Sequence, residues 1–347
     1  MNPHMNTIVI SSLIMGPVIT ISSNHWMLAW IGLEASTLAI IPLMTKKHHP
    51  RATEAAIKYF LTQAAASTLI LFSSMNNAWM HGQWDITQMH DNTSCMIITS
   101  ALSMKLGLAP FHLWLPEVMQ GITITTALIL TTWQKLAPLS LLVMTTKSLN
   151  TTLMLMLGLT SALIGGWGGL GQTQLRKIMA FSSIANLGWM STIITLSHKL
   201  LLMMFYTYIM MTSVLFLMIK QLEANKISTT MTSWTKLPTL NTMMMLTLMS
   251  LAGLPPLTGF MPKWLILQEL TKQHMFIVAT MMALLSLISL FFYLRISYYV
   301  TITLPPNTTT YMQQWRHKMI QKPYLATMTI FSTMLLPITP TLLTMLW

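Results

Sequence analysis

The stretch Lys105-Leu-Gly-Leu-Ala-Pro-Phe-His-Leu-Trp-Leu-Pro-Glu117 decides the fold, because it sets two charges, two prolines and a histidine inside a long apolar run. The same spacing of glycine, proline and a charged residue recurs in Gly253-Leu-Pro-Pro-Leu-Thr-Gly-Phe-Met-Pro-Lys263. Aligned from Gly107 and Gly253, both copies read Gly-Leu-x-Pro, followed by an aromatic residue, a further proline and a charged residue. Glycine and proline interrupt helical backbone. We interpret the copies as two broken membrane helices in corresponding halves of a duplicated, transporter-like fold.

The composition is that of a membrane protein. Of the 347 residues, 53% are hydrophobic and 7% are charged, and the mean hydropathy is +0.60. A soluble domain has about 25% charged residues, so this chain cannot cover itself with a solvated surface. Apolar runs of this length cross a bilayer as helices rather than as barrel strands. We therefore predict an all-α polytopic membrane protein, and we treat residues 1–347 as a single transmembrane domain because no polar linker divides the runs.

About eleven runs are long enough to be membrane spans, since a spanning helix needs about 20 mostly apolar residues. The segment 259–273 is predicted to continue the ninth span beyond its break. The Met1–Ser23 run lacks a basic segment and a cleavage site, so we predict that it is the first span rather than a leader peptide. The predicted spans are residues 3–22, 25–44, 53–78, 93–109, 122–144, 149–171, 177–197, 199–221, 239–258, 274–300 and 323–346.

The order of the spans predicts two repeats of about five helices, roughly at 1–148 and at 149–300, followed by a C-terminal helix roughly at 323–346. Each repeat contains one broken helix, which is the fourth span in the first repeat and the ninth span in the second. Because these two spans are five helices apart, they enter the membrane from opposite sides. The repeat is therefore predicted to be inverted.

Cationic residues in the connections predict the orientation of the chain. If the N-terminus faces the positive side, eleven loop cations fall on that side and three on the opposite side, as alternating spans require. The eleven are Lys46, Lys47, Arg51, Arg176, Lys177, Lys220, Lys226, Lys236, Arg316, Lys318 and Lys322. The three are Lys147, Lys199 and Lys272.

Four ionisable residues lie at predicted bilayer depth: Glu34, Lys105, Lys135 and Lys263. Lys135 precedes Pro138 by three residues, and Pro138 is predicted to kink its helix. A charged group at bilayer depth costs at least about 2.5–3.5 kcal/mol on insertion scales. Groups that carry this cost are expected to be paired or functional, so all four are candidates for proton translocation. A purely structural ion pair, such as Glu34 with one of the lysines, is the alternative.

His112 lies inside the first broken segment and has two interpretations. Its imidazole titrates near neutral pH and is a candidate proton relay. It is equally suited to hydrogen-bond backbone carbonyls that the break sets free. Lys58 and Arg295 lie near predicted span ends, where long cationic side chains are expected to reach the membrane interface.

Other functional classes are disfavoured. The net charge of +12 forms no basic face, since most cations lie in short connections, and we expect no nucleic-acid partner. Gly166-Trp-Gly-Gly-Leu-Gly171 matches a dinucleotide fingerprint, but it follows no strand and lacks the acidic residue expected about 20 residues later. Gly165 and Gly169 instead predict close helix packing.

Cys95 is the single cysteine, which excludes an internal disulfide, an iron–sulfur cluster or a cysteine-based zinc site built from this chain alone. Most of the ten histidines lie at span ends or in loops, so we expect no haem or metal.

Taken together, the motifs are similar to those of the antiporter-like subunits of respiratory complex I, in the mitochondrial form found in mammals. The matching features run through the whole chain, and their combination is highly specific. They are Trp30-Ile-Gly-Leu-Glu34, Lys58-Tyr-Phe-Leu-Thr-Gln63, Lys105 to Glu117, Trp133-Gln-Lys135, Phe181-Ser-Ser-Ile-Ala-Asn186 and Gly253 to Lys263.

The resemblance implies a proton-translocating subunit of NADH:ubiquinone reductase in the mitochondrial inner membrane, with its N-terminus on the matrix side. It implies that Glu34 and Lys105 form the coupled pair of one half-channel. Lys135 would be the central relay lysine, and Lys263 the lysine of the second broken helix. Asn186 departs from the family pattern, because related subunits often have a titratable group there, and the central proton path is less continuous as a result.

The resemblance also implies that this chain binds no cofactor and no metal. NADH, FMN, iron–sulfur clusters and ubiquinone are expected in partner subunits, and the partners are other membrane-arm subunits, including neighbouring antiporter-like ones, and membrane lipids. Two alternatives stay open: a stand-alone cation/proton antiporter, and a membrane scaffold whose buried charges only pin helices. Ion exchange by the purified chain would favour the first, and pumping that tolerates all four charge substitutions would favour the second.

Overall fold

The computed structural model describes residues 3–47, 49–234, 237–302, 323–339 and 341, and this part of the chain is helical apart from connections and two isolated β-bridges. The all-α prediction is confirmed. The helices are α1 Pro3–Ser22, α2 Trp26–Met44, α3 Pro50–His81, α4 Asn92–Leu106, α5 Trp114–Gly121, α6 Ile124–Thr131, α7 Leu136–Met144, α8 Thr151–Leu170, α9 Leu175–Ile193, α10 His198–Gln221, α11 Ile227–Ser233, α12 Pro238–Ala252, α13 Phe260–Lys272, α14 Phe276–Ile302 and α15 Pro323–Met334.

Within the described residues, seven helical segments are long and apolar enough to cross a membrane: α1, α2, α3, α6 with α7, α8, α10 and α14. The polytopic prediction is thereby confirmed, whereas the number of about eleven crossings stays a prediction. Every predicted span overlaps at least one helix. Four of the loop cations and the end of the last predicted span lie outside the described residues, namely Lys236, Arg316, Lys318, Lys322 and residues 342–346.

The chain divides into two compact units. Unit 1 comprises Met1–Ser161 and Met190–His198, and unit 2 comprises Ala162–Trp189 and Lys199–Trp347. Each unit contains one of the two Gly-Leu-x-Pro breaks, between α4 and α5 in unit 1 and between α12 and α13 in unit 2.

Local sequence explains where the helices of unit 1 begin and end. The imidazole of His49 accepts a hydrogen bond from the Arg51 amide at 3.1 Å, and Pro50, which needs no amide partner, occupies the first position of α3. Asp91 caps α4 by accepting from the Ser94 amide at 2.9 Å. Hydrogen bonds from the Thr93 and Ser94 hydroxyls and the Ser94 amide hold the pKa of Asp91 low, at about 2.

The structure adds two features to the predicted helices. α5 and α11 form in segments that the apolar runs do not mark as spans, because both are short. The predicted 122–144 span is interrupted at Trp133–Lys135, which forms a short 3₁₀ turn before Pro138. In unit 2, the predicted close packing of two glycines is confirmed: a β-carbon on Gly165 would lie 2.5 Å from the Ala185 nitrogen, and one on Gly169 2.8 Å from the Phe292 ring.

Candidate functional site

The first break has a defined backbone geometry at the end of α4. Gly107 follows the helix with a left-handed φ of +79°, a conformation that side chains with a β-carbon rarely adopt. The Leu108 amide donates to the Ser103 carbonyl at 2.9 Å, and the Gly107 amide donates to the Met104 carbonyl at 3.2 Å. These two bonds form a Schellman motif, which ends the helix and leaves its last carbonyls without helical partners.

The second break repeats this geometry at the end of α12. Gly253 has a φ of +88°, the Leu254 amide donates to the Met249 carbonyl at 3.4 Å, and the Gly253 amide donates to the Ser250 carbonyl at 3.0 Å. The correspondence that the sequence predicts between the two segments therefore extends to the same Schellman motif. In both cases, carbonyls at the helix end lack helical partners and lie beside an ionisable side chain.

Different side chains bind carbonyls of the two helix ends. In unit 1, the indole N–H of Trp114 donates at 3.2 Å to the Met104 carbonyl, which also accepts from the Gly107 amide. In unit 2, the Lys263 ammonium donates to the Ala252 carbonyl at 2.9 Å and to the Leu251 carbonyl at 3.2 Å. A cation at the C-terminal end of a helix is also favoured by the helix dipole.

Lys105 and Lys135 line the same small cavity in unit 1, with Tyr59, Gln63 and Trp114 also in its wall. The cavity has a volume of about 10 Å³, which is room for about one water molecule. Both lysines are buried. Two ammonium groups at one such cavity repel each other strongly because little solvent screens them. A proton on one lysine therefore disfavours a proton on the other, which suits the two amines to pass a single proton.

Glu34 lies on α2 and acts on Lys105 electrostatically. The predicted pair is not in direct contact: the salt bridges of the described residues are Lys58–Glu54, Lys58–Glu117 and Lys272–Glu269. Within that part of the chain, the Lys105 Nζ and Glu34 Oε2 atoms are buried and have no hydrogen-bond partner. The Lys105 ammonium is therefore not held by a hydrogen bond within the described residues.

The turn at Trp133–Lys135 is held by side chains of the turn itself. Pro138 has no amide hydrogen, so the Gln134 carbonyl lacks the donor four residues on that a regular helix provides. The Trp133 indole donates to the Leu13 carbonyl of α1 at 2.9 Å, and the Gln134 amide group donates to the Ser36 carbonyl of α2 at 3.0 Å. These bonds fix the turn that presents Lys135 to the cavity.

Lys263 lines a cavity of similar size within unit 2, beside Asn186, Thr207 and Tyr208. Its side chain packs directly over the second break, since a β-carbon on Gly253 would lie 3.1 Å from its Cδ atom. Asn186, the predicted departure from the titratable pattern, is thus a neutral neighbour of Lys263.

Three other predicted residues lie elsewhere. His112 is buried within the first break, and its Nδ1 atom has no hydrogen-bond partner in the described part of the chain. Arg295 is partly buried in α14 and donates to the carbonyls of Leu170 and Gln172 at the end of α8, rather than lying at a helix end. Lys58 lies nine residues into α3 and forms ion pairs.

Sequence reasoning missed one charged cluster. The Lys58 ammonium lies 2.7 Å from a Glu54 oxygen and 2.8 Å from a Glu117 oxygen, at a cavity of about 310 Å³ whose wall also includes Arg51 and Gln120. The i, i+4 spacing of Glu54 and Lys58 was a local signal for the first pair. No local signal reports the second, which joins residues 59 positions apart. Among the described residues, no group of three or more histidine, cysteine and acidic side chains is arranged to hold a metal ion.

Two family descriptions together match nearly the whole chain. Residues 23–289 match the family described as NADH:quinone oxidoreductase/Mrp antiporter, transmembrane, and residues 290–343 match the NADH dehydrogenase subunit 2 C-terminus. NADH-ubiquinone oxidoreductase chain 2 from Struthio camelus is 60% identical over 343 residues, which cover 99% of each chain. The chain 2 protein from Gallus gallus is 60% identical over 346 residues, covering 100% of each.

The fold is also similar to a chain in the structure of respiratory complex I from Thermus thermophilus with bound aureothin. The TM-score is 0.83 at 23% sequence identity, and the match covers 97% of this chain and 80% of that one. At this identity the likeness concerns the fold, which is that of the antiporter-like chains.

Proposed function

We propose a path for protons through this chain, which belongs to the family of NADH-ubiquinone oxidoreductase chain 2. As a member of that family, it is a membrane-arm subunit of respiratory complex I. It translocates protons while electrons pass from NADH to ubiquinone in other subunits of the enzyme.

The observation that carries the proposed path is the cavity shared by Lys105 and Lys135. Lys105 accepts the proton, and the Glu34 carboxylate stabilises the resulting ammonium by its negative charge. Movement of Glu34 away from Lys105 removes that stabilisation, and the proton then passes through the cavity to the Lys135 amine. Lys135 is the relay of unit 1, and His112 is an additional relay at the break.

Lys263 is the corresponding proton carrier of unit 2. Its ammonium is held by the freed carbonyls of Leu251 and Ala252, so deprotonation also alters how the broken end of α12 is bound. Asn186 and Tyr208 line its cavity and supply neutral hydrogen-bonding groups.

The two units are repeats of inverted topology within about eleven spans of one transmembrane domain. The matching backbone geometry at Gly107 and Gly253 supports this duplication. The chain lies in the mitochondrial inner membrane of a mammal, with its N-terminus on the matrix side, and the bias of loop cations supports that orientation. Neighbouring membrane-arm subunits and lipids cover it, while NADH, FMN, iron–sulfur clusters and ubiquinone are bound by partner subunits.

The test is substitution of Lys105 by methionine in the assembled enzyme, reconstituted into vesicles. Lys105→Met keeps the length of the side chain and removes the proton site, so the number of protons moved per electron pair is expected to fall. The control is Lys272→Met, which removes an exposed lysine of the ion pair with Glu269. Normal proton stoichiometry in Lys105→Met would overturn the assignment of the path.

A further inference from the structure

The charged cavity between α3 and α5 is open and large by comparison with the lysine cavity of unit 1. It has a volume of about 310 Å³, and the side chains of Glu54, Lys58 and Glu117 are 62%, 43% and 54% exposed. Exposed ion pairs contribute little to stability, because water screens them and the side chains lose freedom. The ion pairs of this cluster therefore contribute little to stability, whereas carboxylates at an open cavity exchange protons readily with water.

The two cavities of unit 1 lie on the same pair of helices. α3 contributes Glu54 and Lys58 to the open cavity, and Tyr59 and Gln63 to the buried one. α5 contributes Glu117 to the open cavity, and its first residues line the buried one. Lys58 and Gln63 are five residues apart, which is about 7–8 Å along a helix. The open cavity and the cavity of the buried lysines are therefore close to each other along the same helix.

Two aromatic side chains, one on each of these helices, line the buried cavity. The rings of Tyr59 and Trp114 pack edge to face with 5.7 Å between their centroids, and both side chains are buried. Trp114 is also tied to the broken helix, since its indole N–H donates to the carbonyl of Met104, the residue before Lys105. A displacement of this helix end would therefore displace the indole as well.

We infer that Glu54 and Glu117 are the mouth through which protons reach Lys105 from water, and that Tyr59 and Trp114 form its gate. This inference rests on the proposed function. A carboxylate oxygen takes a proton from water and Lys58 positions both carboxylates. When the aromatic pair parts, the proton passes through water to the Lys105 amine, and the carboxylate regains its negative charge. The bond of Trp114 to the helix end links the opening of the gate to the state of the break.

The mouth is tested by removing its titratable groups while keeping their shape. In the assembled, reconstituted enzyme, the double variant Glu54→Gln, Glu117→Gln is expected to lower the pumping rate by about tenfold, below the ~10²–10⁴ of a proton donor in direct contact because water still reaches the gate. The control is Glu269→Gln, which breaks a similar acid–lysine pair on α13. The double variant Glu54→Asp, Glu117→Asp keeps the carboxylates and is expected to restore pumping.

A structural role would give a different pattern. If the cluster only ties α5 to α3, the shorter aspartates would break the ties as the glutamines do, and both double variants would lose pumping together. Loss of pumping in both double variants would contradict the assignment of Glu54 and Glu117 as the mouth. Normal pumping in the double glutamine variant would contradict it as well. If Lys105→Met pumps normally, the proposed path fails instead. If Lys105→Met loses pumping while the double glutamine variant does not, only the mouth fails.

The gate is tested by thiol labelling, which does not depend on pumping. A cysteine at Gln120, which is partly exposed, lies in the open cavity and a cysteine at Gln63 in the buried one, whereas the native Cys95 is buried. A small water-soluble methanethiosulfonate is expected to label Gln120→Cys rapidly and Gln63→Cys slowly. Adding Trp114→Phe, which keeps a ring but removes the bond to Met104, is expected to speed labelling of Gln63→Cys several-fold and to leave Gln120→Cys unchanged. Equal labelling of Gln63→Cys with either ring, or an unreactive Gln120→Cys, would contradict the gate.

Discussion

The two broken helices share a backbone device but place their charges on opposite sides of it. In unit 1 the lysine, Lys105, precedes the glycine, and Glu117 closes the segment. In unit 2 the position equivalent to Lys105 is Leu251, and the lysine, Lys263, closes the segment. Lys263 nevertheless reaches back and binds the carbonyl of Leu251. Each break thus has one amine at its helix end, supplied from different positions of the sequence.

This exchange changes what each amine can do. In unit 1 the indole of Trp114 donates to the Met104 carbonyl, which also accepts from the Gly107 amide, and the Lys105 ammonium has no hydrogen-bond partner among the described residues. In unit 2 the Lys263 ammonium itself occupies the freed carbonyls. Lys105 is therefore disposed to respond to Glu34 and Lys135, whereas Lys263 is part of the structure that closes its helix.

The largest expected effect separates pumping from stability. Lys105→Met and Lys263→Met are both expected to lose proton translocation, by at least about 10²-fold if each amine passes the proton directly. Only Lys263→Met is expected to lower the melting temperature of the assembled enzyme as well, since it leaves the Leu251 and Ala252 carbonyls without their charged donor. Equal melting temperatures for the two variants would contradict the difference drawn between the two lysines.

The second effect is the loss of stability in Lys263→Met, and its size follows from the charged hydrogen bonds that are lost. Hydrogen bonds to charged groups contribute about 1.5–3 kcal/mol, so Lys263→Met is expected to destabilise unit 2 by about 2 kcal/mol. Lys263→Arg keeps the charge and should recover part of this loss. Denaturant unfolding followed by hydrogen exchange in α12 measures the change, and full stability in Lys263→Met would show that other donors bind those carbonyls.

The glycines give the third effect. Gly107→Ala and Gly253→Ala each force a β-carbon into a left-handed conformation, at a cost of about 1–2 kcal/mol. At Gly253 the new carbon would also lie 3.2 Å from the Lys263 ammonium, whereas at Gly107 it would meet the Leu115 and Trp114 side chains. For a similar loss of stability, Gly253→Ala is therefore expected to lower the pumping rate more than Gly107→Ala does. A matched pair of pumping and melting measurements tests this.

The smallest effect concerns how the two helices begin. α4 is capped by Asp91, while α12 begins at Pro238 without a side-chain cap. Because the folded pKa of Asp91 is lowered from 3.8 to about 2, its contribution to stability is present above pH 4 and is lost as the pH falls toward 2. Asp91→Ala should lower the melting temperature slightly at pH 5 and flatten its decline between about pH 4 and pH 2. If the melting temperature of Asp91→Ala falls with pH as steeply as that of the unsubstituted protein, groups other than Asp91 cause the fall.

Local sequence was sufficient for the breaks and the buried charges, but not for their surroundings. Gly107 and Gly253 were recognisable because left-handed backbone and proline act within a few residues. The interruption at Trp133–Lys135 was predicted only as a kink at Pro138, since the bonds that shape it come from carbonyls of α1 and α2. Helix α11 is not predicted from the sequence because it is short and has no apolar periodicity long enough to indicate a helix.

By itself, the sequence determined that this is a helical membrane protein with two Gly-Leu-x-Pro breaks, and it predicted four ionisable residues at membrane depth. The tertiary structure alone decided which of these share a cavity. Lys105 and Lys135 are 30 residues apart, and Lys58 and Glu117 are 59 apart. Their proximity depends on how helices pack against each other, and the side chains that separate or join two such groups belong to helices that are distant in the chain. Helix breaks follow from the backbone preferences of neighbouring residues, whereas a proton path follows from packing.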